Sequence, residues 1–188
     1  MAGLNRGQTA LDLCTGTGAL AIELWRQVRP DGRVIGVDLS APMLARAPSR
    51  AGLEFLVGDA TSLPYPDHSF DAVAIGFGLR NIVDREAAIE EMRRVLRPGG
   101  RLAILEFSPP AGGPLARAYR LYLGGVMPAI AGLIDRSYGD AYRYLSASIR
   151  AFPSPTALAG ELERSGFRDV RTHSLTFGIV SIHTGRSE

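Results

Sequence analysis

The sequence predicts an α/β protein: a seven-stranded, mostly parallel sheet with helices on both faces and an antiparallel hairpin at one edge. Three observations predict it. Short apolar runs alternate with helical patterns through the first half, as crossover units do. Two glycines, Gly16 and Gly18, stand where the first run turns into the first helix. The tail from Phe167 to His183 alternates enough for two more strands, paired as a hairpin on the sheet edge.

The elements follow in order. Ala10 to Leu13 is a short buried strand, Ala19 to Val28 a helix, and Arg33 to Asp38 a second strand whose continuous apolar run suits a sheet covered on both faces. Ser40 is placed to cap the next helix, with Pro42 tolerated in its first turn. Leu53 to Val57 and Phe70 to Ile75 read as the third and fourth strands. Asp84 can cap a helix with Ala88, Ile89, Met92, Val95 and Leu96 at helical spacing, which Pro98-Gly99-Gly100 should stop. Leu102 to Phe107 is the fifth strand. From Pro109 to Asp135 the pattern changes to Gly, Pro, Tyr, Arg and small apolar residues, so an inserted helical flap is expected at about 109–150. Ser154 and Pro155 open a helix that turns Leu158 and Leu162 inward and ends at Gly166.

The 188 residues read as one domain, with 46% apolar and 21% charged residues in an ordinary globular balance. A net charge of +2 carries no polyelectrolyte signal, so no nucleic-acid partner is expected. All 21 basic residues are Arg. Without Lys, Schiff-base chemistry, the P-loop phosphate clamp and the Tyr/Lys pair of short-chain dehydrogenases are excluded. Cys14 has no second cysteine to pair with, and His68, His173 and His183 are too scattered to suggest a metal. Met1 to Gln8 lacks a signal pattern, and the run from Leu121 to Ile134 is too short to span a bilayer, so a cytoplasmic protein is expected.

Leu11-Asp12-Leu13-Cys14-Thr15-Gly16-Thr17-Gly18 brings the backbone close to a ligand, with helix N–H groups exposed. Gly16, Gly18 and Ala21 also fit the dinucleotide fingerprint, so the loop alone leaves a nicotinamide oxidoreductase open. Asp38, ending the second strand, can accept from a ribose diol in either kind of cofactor. Asp59, in Gly58-Asp59-Ala60 after the third strand, can accept from an exocyclic amine. All three features fall at carboxyl ends of successive parallel strands, where open α/β sheets bind ligands.

Further motifs sharpen the reading. Ile75-Gly76-Phe77-Gly78-Leu79-Arg80-Asn81, the stretch Glu91 to Gly100, Leu105-Glu106-Phe107-Ser108, Tyr142-Arg143-Tyr144-Leu145 and Leu175-Thr176-Phe177-Gly178-Ile179 resemble class I S-adenosylmethionine-dependent methyltransferases. Within that class they are similar to the quinone C-methyltransferases of menaquinone and ubiquinone biosynthesis, over nearly the whole chain. The resemblance implies a Rossmann-like fold, S-adenosylmethionine as cofactor, and methylation of a ring carbon of a polyprenyl quinol, demethylmenaquinol above its benzoquinol counterpart. It implies cofactor contacts from the Gly16-Thr17-Gly18 loop, Asp38, Asp59, Ala60 and Gly76, where Gly in place of the family's frequent Ser leaves only backbone contact. Arg80 is the candidate for holding the quinol oxyanion, or a water that takes its proton, and Asn81 for orienting the ring oxygen.

The family usually carries a helical segment before the first strand, and Met1 to Gln8 has no room for it, so a shortened chain or a late-assigned start is expected. A non-catalytic cofactor-binding subunit is the third reading beside the methyltransferase and the oxidoreductase. Cys14 reads as a core residue, His68 as solvent-facing, and His183 as either a substrate contact or a buried structural group. Leu115 to Ile134 combines Arg117, Arg120, two tyrosines and aliphatics, which suits weak peripheral contact with a membrane or burial in a homodimer.

Overall fold

The computed structural model describes residues 3–108, 113, 117, 121 and 136–188. The chain first runs through Thr9–Leu13 (β1), Ala19–Val28 (α1), Arg33–Asp38 (β2), Ala41–Leu44 (α2), Leu53–Val57 (β3) and Phe70–Gly76 (β4). A 3-10 turn over Leu79–Asn81 leads to Arg85–Val95 (α3) and Leu96–Phe107 (β5). Arg136–Ala151 (α4), Pro155–Arg164 (α5), Arg168–Leu175 (β6) and Val180–Arg186 (β7) complete the described elements.

The strands form one seven-stranded sheet in the order β3-β2-β1-β4-β5-β7-β6. The first five run parallel to one another, whereas β7 runs antiparallel to both β5 and β6. The expected hairpin is present, but its second strand continues to Arg186 and lies inside the sheet, paired with β5 along its length.

Side-chain size explains how the layers sit. On one face Ala10, Ala72, Ala74 and Ala103 are small, so α1 can press Ala21, Leu24 and Val28 close against the sheet. On the other, Leu11, Leu13, Val73, Ile75 and Ile104 meet Ile89 and Met92 of α3 and Leu158 and Leu162 of α5. Each such large side chain, fully buried, contributes about 1.5–3 kcal/mol.

Two expectations are corrected. Pro98-Gly99-Gly100 does not stop α3, which has ended at Val95, and β5 begins at Leu96, not Leu102. Pro98 disfavours helical geometry at Arg97, and Leu96, fully buried in extended backbone, already pairs with Phe70. The glycine run then forms the irregularity between the Phe70 and Ala72 pairings. Ser40 does precede α2, but its side chain makes no cap bond. Asp38 takes the Ser40 N–H instead, at 2.8 Å.

Of the expected flap, residues 136–150 fall in α4. Its remainder, including the 115–134 stretch read as a membrane or dimer contact, lies outside the described residues except at 113, 117 and 121. Among the described residues no helix is long and apolar enough to cross a membrane.

Candidate active site

The carboxyl ends of β1 to β4 surround a cavity of about 510 Å3. Its floor is the turn from β1 into α1. Gly16 and Gly18 have φ of 57° and 83°, and a Cβ at Gly18 would fall 2.7 Å from the Phe55 ring, so the tight turn over β3 requires glycine. Cys14 is also left-handed, with φ of 51°, a conformation that disfavours a side chain by about 1–2 kcal/mol. Its thiol is pushed up to about 12 by burial, with Asp38, Asp12, Glu106 and Asp59 adding repulsion.

Asp38 anchors this floor. One carboxylate oxygen accepts the Gly16 N–H at 2.8 Å and the other accepts the Ser40 N–H at 2.8 Å. Each oxygen has a second lone pair for a ligand hydroxyl. Asp59 uses one oxygen for the Thr61 N–H at 2.9 Å and the Thr61 hydroxyl at 2.8 Å, which hold its carboxyl below the usual range. Asp59 itself lines the cavity wall. Behind the loop, Asp12 is 1% exposed and accepts from the Thr15 hydroxyl at 2.5 Å, and burial raises its carboxyl to about 7.

Gly16, Asp38, Asp59, Ala60 and Asn81 line the cavity together, joined by Cys14, Met43 and Phe77. Thr17, Gly18, Gly76 and Arg80 do not line it. Asn81 carries its side-chain oxygen 3.0 Å from the Tyr144 hydroxyl, which donates to it, so the amide N–H groups are left for another partner. Arg80 turns toward β5: its Nη1 donates to Glu106 at 2.7 Å and to the Phe77 carbonyl at 2.5 Å, and its guanidinium lies 5.3 Å from the Phe107 ring centre. His183 is buried on β7 with Nε2 2.9 Å from the Pro155 carbonyl, the structural alternative. His68 is exposed, as expected.

Glu106 and Tyr144 received no role from sequence reasoning. Glu106 did leave a signal, as the one carboxylate in the apolar run Leu102 to Phe107. Tyr144 left none beyond its motif, since its contact with Asn81 spans 63 residues.

Chemically, the cavity presents carboxylates and engages the Gly16 N–H with Asp38. A pyrophosphate needs such N–H groups free, whereas a ligand bearing a ribose diol and positive charge suits these walls. That arrangement disfavours the dinucleotide reading and fits S-adenosylmethionine.

Comparison with known proteins agrees. The family model described as the ubiE/COQ5 methyltransferase family matches residues 1–187. The chain belongs to the ubiE/COQ5 methyltransferase family. Demethylmenaquinone methyltransferase of Thermus thermophilus is 50% identical over 180 residues, covering 93% of this chain and 80% of that protein. The ubiquinone/menaquinone biosynthesis C-methyltransferase UbiE of Klebsiella pneumoniae (strain 342) is 42% identical over 190 residues, covering 97% and 75%. Among solved structures, an S-adenosylmethionine-dependent methyltransferase from Aquifex aeolicus superimposes with a TM-score of 0.70 at 20% identity, covering 99% of this chain and 85% of that one. Phosphoethanolamine N-methyltransferase 2 of Haemonchus contortus, solved with S-adenosylmethionine, gives 0.72 at 18%, covering 99% and 50%. At such identities these two likenesses concern the fold, which is the Rossmann-like methyltransferase sheet read from the sequence.

Proposed function

We propose that the protein methylates a ring carbon of demethylmenaquinol, with S-adenosylmethionine as donor. The observation that carries the reading is one cavity wall shared by Asp38, Asp59 and Asn81, in a member of the ubiE/COQ5 family. Asp38 and Asp59 are the residues that would hold the donor, through its ribose and its adenine amine. Bound there, S-adenosylmethionine supplies an electrophilic methyl group on a sulfonium.

The chain's own task is then alignment and exclusion of water, since methyl transfer is an in-line displacement. The ring carbon becomes nucleophilic when the neighbouring hydroxyl loses its proton. Asn81, its oxygen engaged by Tyr144, turns an amide N–H toward the ring oxygen. A water in the cavity receives that proton; Arg80, expected to meet the oxyanion itself, keeps its guanidinium on Glu106 and the Phe77 carbonyl and off the cavity wall, so its part is to hold the turn that carries Asn81. Exposed Leu39 and Val83 at the cavity wall give an apolar rim suited to a prenyl tail and to weak, reversible contact with a membrane surface.

The test is a mass measurement after incubation with S-adenosylmethionine and a short-chain demethylnaphthoquinol. A product heavier by one methylene is expected. An unmodified quinol, with the benzoquinol counterpart unmodified too, would end the proposal.

A further inference from the structure

The groups that bear on Asn81 trace back to a buried carboxylate that the reaction does not touch. Glu106, fully buried near the carboxyl end of β5, accepts three hydrogen bonds. One oxygen takes Arg80 Nη1 at 2.7 Å and the Phe107 N–H at 2.8 Å; the other takes the Arg80 backbone N–H at 3.2 Å. Two of the three donors belong to one residue, so Glu106 grips both the side chain and the main chain of Arg80.

Arg80 passes the constraint on. The same Nη1 donates to the Phe77 carbonyl, at the other end of the turn that joins β4 to Asn81. Phe77 is itself left-handed, with φ of 56°, and its ring packs 4.6 Å from that of Phe107. The guanidinium plane is bounded by the Phe107 ring and its side chain is 11% exposed. The residues gripped at both ends, Phe77 and Arg80, are followed or flanked by cavity-wall residues, and Asn81 is one peptide away. A buried ion pair adds little net stability after desolvation, but its geometry is narrow, which suits it to fixing a conformation.

We propose that Glu106 is a positioning residue for methyl transfer, acting through Arg80 to hold Asn81 on the cavity wall. The inference rests on the quinol methyltransferase reading above. It assigns Glu106 no contact with donor or acceptor, so its removal should slow the transfer and spare donor binding.

The test compares wild type, E106Q, R80Q and R80Q/E106Q, each measured for kcat with a tailless demethylnaphthoquinol and for S-adenosylmethionine Kd by calorimetry. E106Q should lower kcat by about tenfold or more while Kd stays within about twofold, since a small displacement of an aligned group is costly in rate. The double variant should turn over at the rate of R80Q alone, because once the guanidinium is gone the one bond left between the two residues, from the backbone N–H of residue 80, is one that a Gln side-chain oxygen at 106 can accept as well. If E106Q cannot fold with the Arg80 charge uncompensated, the neutral pair read against R80Q carries the same comparison. Three results overturn the proposal: an E106Q rate close to wild type, losses that multiply in the double variant, or a Kd that rises in step with the loss of kcat. A wild type that methylates no quinol overturns this role together with the reading beneath it; an active wild type with an unaffected E106Q removes the role alone.

Discussion

Replacing Asp12 with Asn should stabilise the protein, by an amount that grows with pH. Asp12 is buried on β1 and accepts from the Thr15 hydroxyl. Burial raises its carboxyl from the ordinary 3.8 to about 7, so the folded chain keeps a proton that the unfolded chain releases. Below about pH 4 both states are protonated and stability is undiminished. As pH rises toward 7 only the unfolded chain ionises, and stability is lost progressively. At about 1.4 kcal/mol per pH unit the loss is about 1.5 kcal/mol at pH 5 and reaches about 4 kcal/mol by pH 8. An Asn side chain keeps an acceptor for Thr15 and sets a neutral NH2 where the acid holds its proton, so the variant lacks this slope. Urea unfolding of both proteins at those two pH values is the assay. The advantage of Asn should widen by roughly 2.5 kcal/mol from the lower to the higher pH. A difference that stays constant, or narrows, would refute the assignment of a buried, neutral Asp12.

Asp38→Ala should raise the S-adenosylmethionine Kd by at least about tenfold with the fold intact, since charge-assisted bonds of about 1.5–3 kcal/mol each are removed; an unchanged calorimetric Kd would take Asp38 out of the site. Arg80→Lys should lower kcat more than donor affinity, because the shorter-reaching ammonium neither places a donor where Nη1 meets both Glu106 and the Phe77 carbonyl nor lays a plane against the Phe107 ring, and equal losses would mark Arg80 as structural only. Gly78→Ala would set its Cβ 2.3 Å from the Cys14 Cβ, so a loss of about 1–3 kcal/mol or more is expected in thermal melts; a neutral result would mean the loop yields freely. His183, whose pKa burial lowers from 6.5, supports stability above that value and withdraws it as pH falls, so His183→Gln should flatten the acid side of the stability profile measured by urea unfolding.

The elements legible in the sequence were those whose cause is local. The helix Ala19–Val28 and the strands Arg33–Asp38 and Leu53–Val57 occupy the residues that their apolar patterns and flanking turns indicated. The start of β5 was not legible, because the glycines after Pro98 resemble a helix stop and only pairing with Phe70 draws Leu96 into the sheet. The site divides in the same way. Asp38 and Asp59 announced themselves by standing at strand ends. The turn of Arg80 toward Glu106 did not, because that contact joins residues 26 apart and depends on which strand lies beside β4. Thr17 and Gly76 adjoin the cavity residues in sequence yet do not line it, so neighbourhood in the chain overstated their reach.

The position of β7 has a consequence for synthesis. It lies between β5 and β6 but follows both in the chain. As the polypeptide leaves the ribosome, β1 to β5 can assemble as they emerge, whereas β5 keeps an unpaired edge and β6 has no neighbour until β7 arrives. Two further bonds then tie the end down, from the Gly99 N–H to the Ser187 carbonyl and from the Ser187 N–H to the Gly100 carbonyl, both 2.9 Å. A frameshift or proteolytic cut within Val180–Arg186 therefore removes two strands from the sheet, since among the described residues β7 is the strand that β6 pairs with. Nascent chains carry that sticky edge from the completion of β5 until β7 emerges, which makes a ribosome stall between β5 and β7 a more damaging event here than a stall of equal length before β5.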